Sequence, residues 1–226
     1  MRPWALLGAA LAAAPTRALA QEFADRGVFV IERGSAETGR VEFALRRTAG
    51  KGGLLLVAAT RTPAHDLDVA LELSRDSIPV SFQQTETASG RVVRRVSATV
   101  NGRRFSARAS SAETEIAREL PVSSPLLILG EEDYAAFAFL PRPDSGTTRT
   151  VTVIRTADLT SQAALVDGGL TDSVRIQGRE LRCRRFVLHF PDGEERRFWI
   201  STEGRLLKVA IPGSGILATR TEPPPH

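Results

Sequence analysis

Cysteine is almost absent from this chain, since Cys183 is the only one among 226 residues. A single thiol cannot form a disulfide within the chain, and it cannot build a cysteine-rich zinc site. Cys183 lies in the strand-like stretch "LRCRRFVLHF", where three arginines flank it. We interpret Cys183 as a small buried hydrophobe, and a thiol activated by those arginines is the alternative.

Histidine, aromatic residues and lysine are also scarce. The chain has three histidines, 6% aromatic residues, and lysine only at Lys51 and Lys208. Because the chain has so few imidazole and thiol groups, it contains no recognisable set of metal ligands. We therefore predict no metal site and no cofactor. The arginines are interspersed with acids and lack neighbouring aromatic residues, so a nucleic-acid partner is not predicted.

Motifs of enzyme catalysis are missing as well. The chain contains no G-x-S-x-G nucleophile elbow, and the turn "GSG" at 213–215 does not join a strand to a helix. His65, Asp66 and Asp68 in "HDLD" form the one candidate catalytic group. They follow Pro63 in a predicted loop, so we interpret them as solvated residues and do not predict an enzyme.

The first twenty residues, "MRPWALLGAALAAAPTRALA", have the features of an export signal. A basic start precedes a short apolar run, and small residues precede Gln21. The run is too short to cross a bilayer, and no lipobox cysteine follows it. We therefore predict cleavage after Ala20, a periplasmic or secreted protein, and no stable insertion into a membrane.

Turn signals recur at short intervals along the rest of the chain, with segments rich in Val, Ile, Thr, Leu and Phe between them. This spacing is typical of an antiparallel all-β protein. We predict a single β-rich domain over 21–221 and a disordered tail over 222–226. A hairpin is expected at Asn101 and Gly102, and a second at "QG" 177–178 with a bulge near Arg184 and Arg185.

The segment 124–139 interrupts the strand pattern. Ser124 is a candidate helix cap with Pro125 at the first helical position, and apolar residues follow at helical spacing. We predict a short helical insert lying against the sheet, with Glu131, Glu132 and Asp133 at its solvated edge. The alternative is two further strands.

Two stretches are apolar on both faces. "GLLLVAAT" at 53–60 has successive apolar residues, and "RRFWISTEGRLLKVAIPGSG" at 196–215 has one fully apolar face and a second face with large hydrophobes. In the second stretch, strand alternation places Leu207 with Val209 and Ile211. Strands that are covered on both sides show this pattern, so we predict a curved sheet.

The segment "FWISTEGRLLKVAIPGSGILATR" resembles the closing part of a family of uncharacterised bacterial periplasmic proteins. Those proteins are similar in layout to the carriers LolA and LolB and to the lipid-binding LppX. The resemblance implies an open, curved antiparallel sheet, as an open half-barrel or β-roll, whose hydrophobic cavity is covered by helices. Because the lipobox cysteine is missing, it implies an apolar ligand rather than lipoprotein transport.

The function that we predict is non-enzymatic binding of a lipid or another amphiphile in a cavity of the curved sheet, with arginines at the rim for an anionic head group. The alternative is a structural or protein-interaction module of the cell envelope, in which the same residues fill a packed core. The predicted ligand-binding residues are Leu55, Val57, Leu127, Phe137, Phe139, Trp199 and Leu207.

Overall fold

The computed structural model describes residues 23–48, 52–130 and 132–224, so the predicted export signal lies outside the described residues. The described part is almost entirely β. Its strands are β1 (Phe23–Arg33), β2 (Ala36–Arg47), β3 (Leu54–Arg61), β4 (Asp66–Leu73), β5 (Pro79–Ala88), β6 (Arg91–Asn101), β7 (Arg104–Ser111), β8 (Glu115–Pro121), β9 (Leu126–Leu129), β10 (Thr148–Arg155), β11 (Thr160–Ile176), β12 (Arg179–His189), β13 (Glu195–Ser201), β14 (Leu206–Ile211) and β15 (Ile216–Arg220). Two 3₁₀ turns cover Ala135–Phe139 and Pro212–Ser214.

All fifteen strands belong to one large, curved and unclosed sheet, which confirms the predicted fold class. The order across the sheet is β8-β7-β6-β5-β4-β3-β2-β1-β15-β14-β13-β12-β11-β10-β9. Neighbours pair antiparallel, except that β9 runs parallel to β10. The last strand, β15, pairs with the first, β1, so the two ends of the described chain meet in the middle of the sheet.

The main hydrophobic core covers one side of the sheet, which we call the inner face, and includes Phe29, Phe82 and Phe198. The opposite side is called the outer face. Residues 122–130 and 132–140, which we call the insert, pack on the inner face, where β9 contacts β5 and the first 3₁₀ turn contacts β3 and β14. The insert therefore supplies part of the core itself.

The helical prediction for the insert is correct for its second half only. Ala135–Phe139 is a 3₁₀ turn, whereas Leu126–Leu129 is a buried strand, so Ser124 and Pro125 do not begin a helix. The strand forms because its backbone pairs with β10. Its four apolar side chains are buried, as expected for a strand that is covered on both sides. At the predicted acidic edge, Asp133 is only 2% exposed and Glu132 is partly buried, so these two residues are not solvated as predicted, and Glu131 lies outside the described residues.

A smaller apolar cluster lies on the outer face, and we call it the outer cluster. Its buried members are Val174, Ile176, Cys183, Trp199 and Leu207. This cluster explains why the strands at 196–211 are apolar on both sides. A register shift opposite Trp199 and Ile200 turns Leu207 outward, so the prediction that it shares a face with Val209 and Ile211 is wrong.

Both predicted hairpins are present, with corrections in detail. The first turn is at Gly102 and Arg103 rather than at Asn101 and Gly102, because Asn101 pairs with Arg104. In the second hairpin, Gln177 and Gly178 both have positive φ, as a two-residue type I′ turn requires. The bulge lies in the partner strand at 168–169, since Cys183 and Phe186 belong to opposite faces and need no bulge between them.

The C-terminal residues continue from β15 along the domain. The Thr221 N–H donates to the Val28 carbonyl, and Pro224 is buried. Part of the tail that we predicted to be disordered is therefore packed, and residues 225–226 lie outside the described residues. Within the described part, no helix is long and apolar enough to cross a membrane.

Candidate functional site

The structure does not bring the seven predicted ligand-binding residues together. Leu127, Phe137 and Phe139 pack in the main core, whereas Trp199 and Leu207 belong to the outer cluster. Leu55 and Val57 alternate with the buried Leu56 and Ala58 and so point to the outer face, where Val57 is 39% exposed. These residues therefore do not line one cavity.

The candidate catalytic group is also separated. Asp66 and Asp68 lie near Arg61, with an Oδ1 of Asp68 2.7 Å from Nη2 of Arg61. His65 instead approaches Glu132, with 3.1 Å between Nε2 and Oε2. Because these side chains do not converge, hydrolytic chemistry at His65, Asp66 and Asp68 gains no geometric support.

Cys183 is an inert thiol in this arrangement. It is 3% exposed, and burial together with the nearby Asp172 raises the pKa of its thiol to about 11. Arg184, one of its flanking arginines, donates hydrogen bonds to the carbonyls of Gly169 and Pro143. Thiolate chemistry at neutral pH is therefore not expected here.

A cleft of about 580 Å³ lies over β1, β2 and the end of β15 and is lined by several charged residues; we call it the arginine cleft. Its lining is Arg26, Gly27, Val28, Glu42, Phe43, Ala44, Arg46, Arg220, Glu222 and Pro223. The volume is in the range of ligand pockets. The lining thus combines three arginines and two glutamates with the apolar residues Val28, Phe43 and Pro223.

Arg220 is held at the cleft by a buried ion pair. Its Nη2 is 2.9 Å and its Nη1 3.2 Å from the two carboxylate oxygens of Asp25, and both residues are buried. The guanidinium also donates to the Arg26 carbonyl and lies over the Phe43 ring, 5.3 Å from its centroid. A Cβ at Gly27 would lie 3.0 Å from this guanidinium, so the glycine leaves room for it.

A second arginine connects the cleft to the insert. Arg205, in the turn between β13 and β14, donates to the Ala24 carbonyl beside Asp25. In the same turn, the Gly204 carbonyl accepts a hydrogen bond of 3.0 Å from Arg142, which also donates to Ala138 in the insert. The start of β1, this turn and the end of the insert are therefore neighbours.

The donors of the cleft suit an anion such as phosphate or carboxylate, because guanidinium groups form directed, charge-assisted hydrogen bonds to both. Glu42 and Glu222 add acceptors for a cationic group. Among the described residues, no group of three or more His, Cys, Asp or Glu side chains is arranged to hold a metal ion. The cleft is therefore suited to recognising charged groups.

Sequence reasoning missed Asp25 and Arg220, although a signal was available. Asp25 shares strand parity with the apolar Phe29 and Ile31, and Arg220 shares it with Ala218. A charge on an apolar face needs a partner. Only the pairing of β1 with β15 shows that these two residues partner each other.

Comparisons with known proteins give no identification. No family model, no curated protein and no solved structure matches this chain. The resemblance to periplasmic carriers stays a prediction, and the function is argued from the site.

Proposed function

We propose that this protein binds an amphiphile that has an acyl chain and a phosphate-bearing head group, with the head group in the arginine cleft. The observation that carries the proposal is that Arg26 and Arg46 line the same cleft as Phe43, which also belongs to the main core. A phosphate has acceptors for the arginines, and an acyl chain gains about 25 cal/mol per Å² of surface that it buries.

The carboxylates favour a zwitterionic head group. Glu42 and Glu222 lie in the same cleft as Arg26 and Arg46, so a purely anionic head group meets repulsion as well as attraction. A phosphoethanolamine presents its phosphate to the arginines and its ammonium to the glutamates. We therefore expect this head group to bind better than phosphoglycerol on the same chain.

The test is native mass spectrometry of the protein with lysophosphatidylethanolamine and lysophosphatidylglycerol of equal chain length. Arg46→Gln and Glu42→Gln are the cleft variants, and Arg175→Gln, an exposed position on β11, is the matched control. We expect one bound lipid, a preference for the ethanolamine head group, weaker binding in Arg46→Gln, and loss of the preference in Glu42→Gln. Equal binding by all four proteins would contradict the assignment of the site.

The second candidate function is an envelope interaction module, and the sheet edge at β8 favours it. Among the described strands, β8 pairs with β7 alone, and most of its side chains are exposed. An edge with free backbone groups can accept a strand from another protein. Ala117→Pro would remove an amide from this edge, so pull-down of an envelope protein that is lost in Ala117→Pro would support this function.

A further inference from the structure

The insert occupies the inner face in the way that an apolar ligand would. All four residues of β9 are buried, as are Tyr134, Phe137 and Leu140. The Phe137 ring lies 5.8 Å from the ring of Phe198 on β13. The surface beneath the insert is therefore apolar.

The attachments of the insert differ on its two sides. A parallel ladder joins β9 to β10. On the other side the insert contacts β3 and β5 by packing, with a few polar links to Thr60 and His65, and we call these contacts the seam. In the seam, Thr60 donates to the Glu132 carbonyl at 3.1 Å, and His65 lies 3.1 Å from the Glu132 carboxylate. Separating the seam breaks no strand pairing, so it is the side on which the insert can detach.

The insert also carries three buried side-chain oxygens without a hydrogen-bond partner, one each on Glu132, Asp133 and Tyr134. One carboxylate oxygen of Asp133 accepts from the Ala136 amide, and the other has no hydrogen-bond partner. The hydroxyl of Tyr134 is buried and has none. Buried groups of this kind regain hydrogen bonds to water when a segment opens, which lowers the free energy of opening.

The far end of the insert lies close to the arginine cleft. Arg142 joins Ala138 to the turn at Gly204, and Arg205 in that turn contacts Ala24 at the start of β1. Phe43 lines the cleft and packs in the core against which the insert lies. Phe43 and the insert therefore belong to the same hydrophobic core.

We propose that the insert is a displaceable plug, and that the inner-face surface of β3, β5 and β14 beneath it is the binding site for the acyl chain of the amphiphile. The inference rests on the proposed function, because the cleft supplies the head-group contacts. The ligand replaces the apolar contacts of the plug with its own, and the seam opens.

Tyr134 reports directly on the plug, because it is the only tyrosine in the chain. Protein labelled with 3-fluorotyrosine gives one ¹⁹F NMR resonance from this buried ring. Addition of lysophosphatidylethanolamine is expected to replace this resonance with a second one, at the chemical shift of a solvent-exposed fluorotyrosine. Glycerophosphoethanolamine, which has the head group and no chain, is expected to leave the resonance unchanged.

A cross-link tests whether displacement is required. His65→Cys with Glu132→Cys, in a Cys183→Ser background, is bridged by a short bis-maleimide to lock the seam. The control is Arg108→Cys with Glu115→Cys, which replaces an exposed ion pair between strands that are already paired. Locking the seam is expected to weaken lipid binding by about tenfold or more, because the locked protein cannot reach the open state that binds the lipid. The control is expected to bind the lipid with unchanged affinity.

The outcomes separate the two proposals. Lipid binding with an unchanged Tyr134 resonance and no effect of the seam lock would overturn the plug and leave the cleft function standing. Absence of lipid binding in the unlocked protein would overturn both.

Discussion

Asp133 is the residue whose burial has the clearest measurable consequence. Desolvation raises the pKa of this carboxyl from 3.8 to about 7, and the hydrogen bond from the Ala136 amide only partly opposes the shift. Between pH 4 and 7, Asp133 thus keeps its proton in the folded protein, whereas the unfolded chain has lost it. The raised pKa of Asp133 therefore lowers the free energy of unfolding as pH rises from about 4 to about 7. Above about pH 7 the effect of Asp133 on stability is constant.

Asp133→Asn is therefore expected to remove that pH dependence. Above pH 7 the variant should be more stable, by up to about 4 kcal/mol, since each of about three pKa units corresponds to about 1.4 kcal/mol. Urea unfolding of both proteins from pH 4 to pH 8 measures the difference. Asp76→Asn, at an exposed position, is the control. Parallel stability curves for wild type and Asp133→Asn would contradict the raised pKa.

Among the elements, the insert determines how well the inner face is filled. Phe137 is fully buried against Phe198, so Phe137→Ala leaves a cavity and is expected to lower the free energy of unfolding by about 3–5 kcal/mol. Phe139, which is half-buried in the same turn, provides the comparison. Denaturant unfolding at pH 7 measures both variants, and an equal small loss in each would show that Phe137 is not packed as described.

The long strand β11 depends on glycine at its bulge. A Cβ at Gly168 would lie 1.8 Å from the Asp144 carbonyl oxygen, which is a backbone atom that cannot move aside cheaply. Gly168→Ala is expected to cost about 1–3 kcal/mol of stability or more. Gly213→Ala is the matched control, since nothing lies within 4 Å of its added Cβ. Similar melting temperatures for the two variants would contradict this geometry.

For the whole molecule, the buried Asp25 and Arg220 pair joins strands from opposite ends of the chain. Arg220→Met leaves the Asp25 carboxylate buried without its partner, and a loss of about 3–5 kcal/mol is expected at pH 7. Combining it with Asp25→Leu removes the buried charge and should restore most of that stability. Urea unfolding of the single and double variants measures the effect, and a double variant no more stable than Arg220→Met would count against it.

The fold of the whole molecule also determines the surroundings of each arginine. Pairs such as those at 46–47 and 196–197 look alike in the sequence. In the fold, Arg46 lines the cleft, and Arg196 is buried beside Glu194 with 2.6 Å between Nε and Oε1. Their different surroundings depend on which strands meet, so the local sequence does not distinguish them.

The sequence alone determined the β class and the presence of the two hairpins, because strand alternation and turn residues are local properties. It also indicated the doubly covered strands at 196–211. Only the tertiary structure decided that β9 is a strand, since its ladder partner β10 is distant in sequence. It likewise decided that Trp199 and Phe137 lie in separate clusters and that Asp25 meets Arg220, because register, strand order and the pairing of the chain ends depend on the whole sheet.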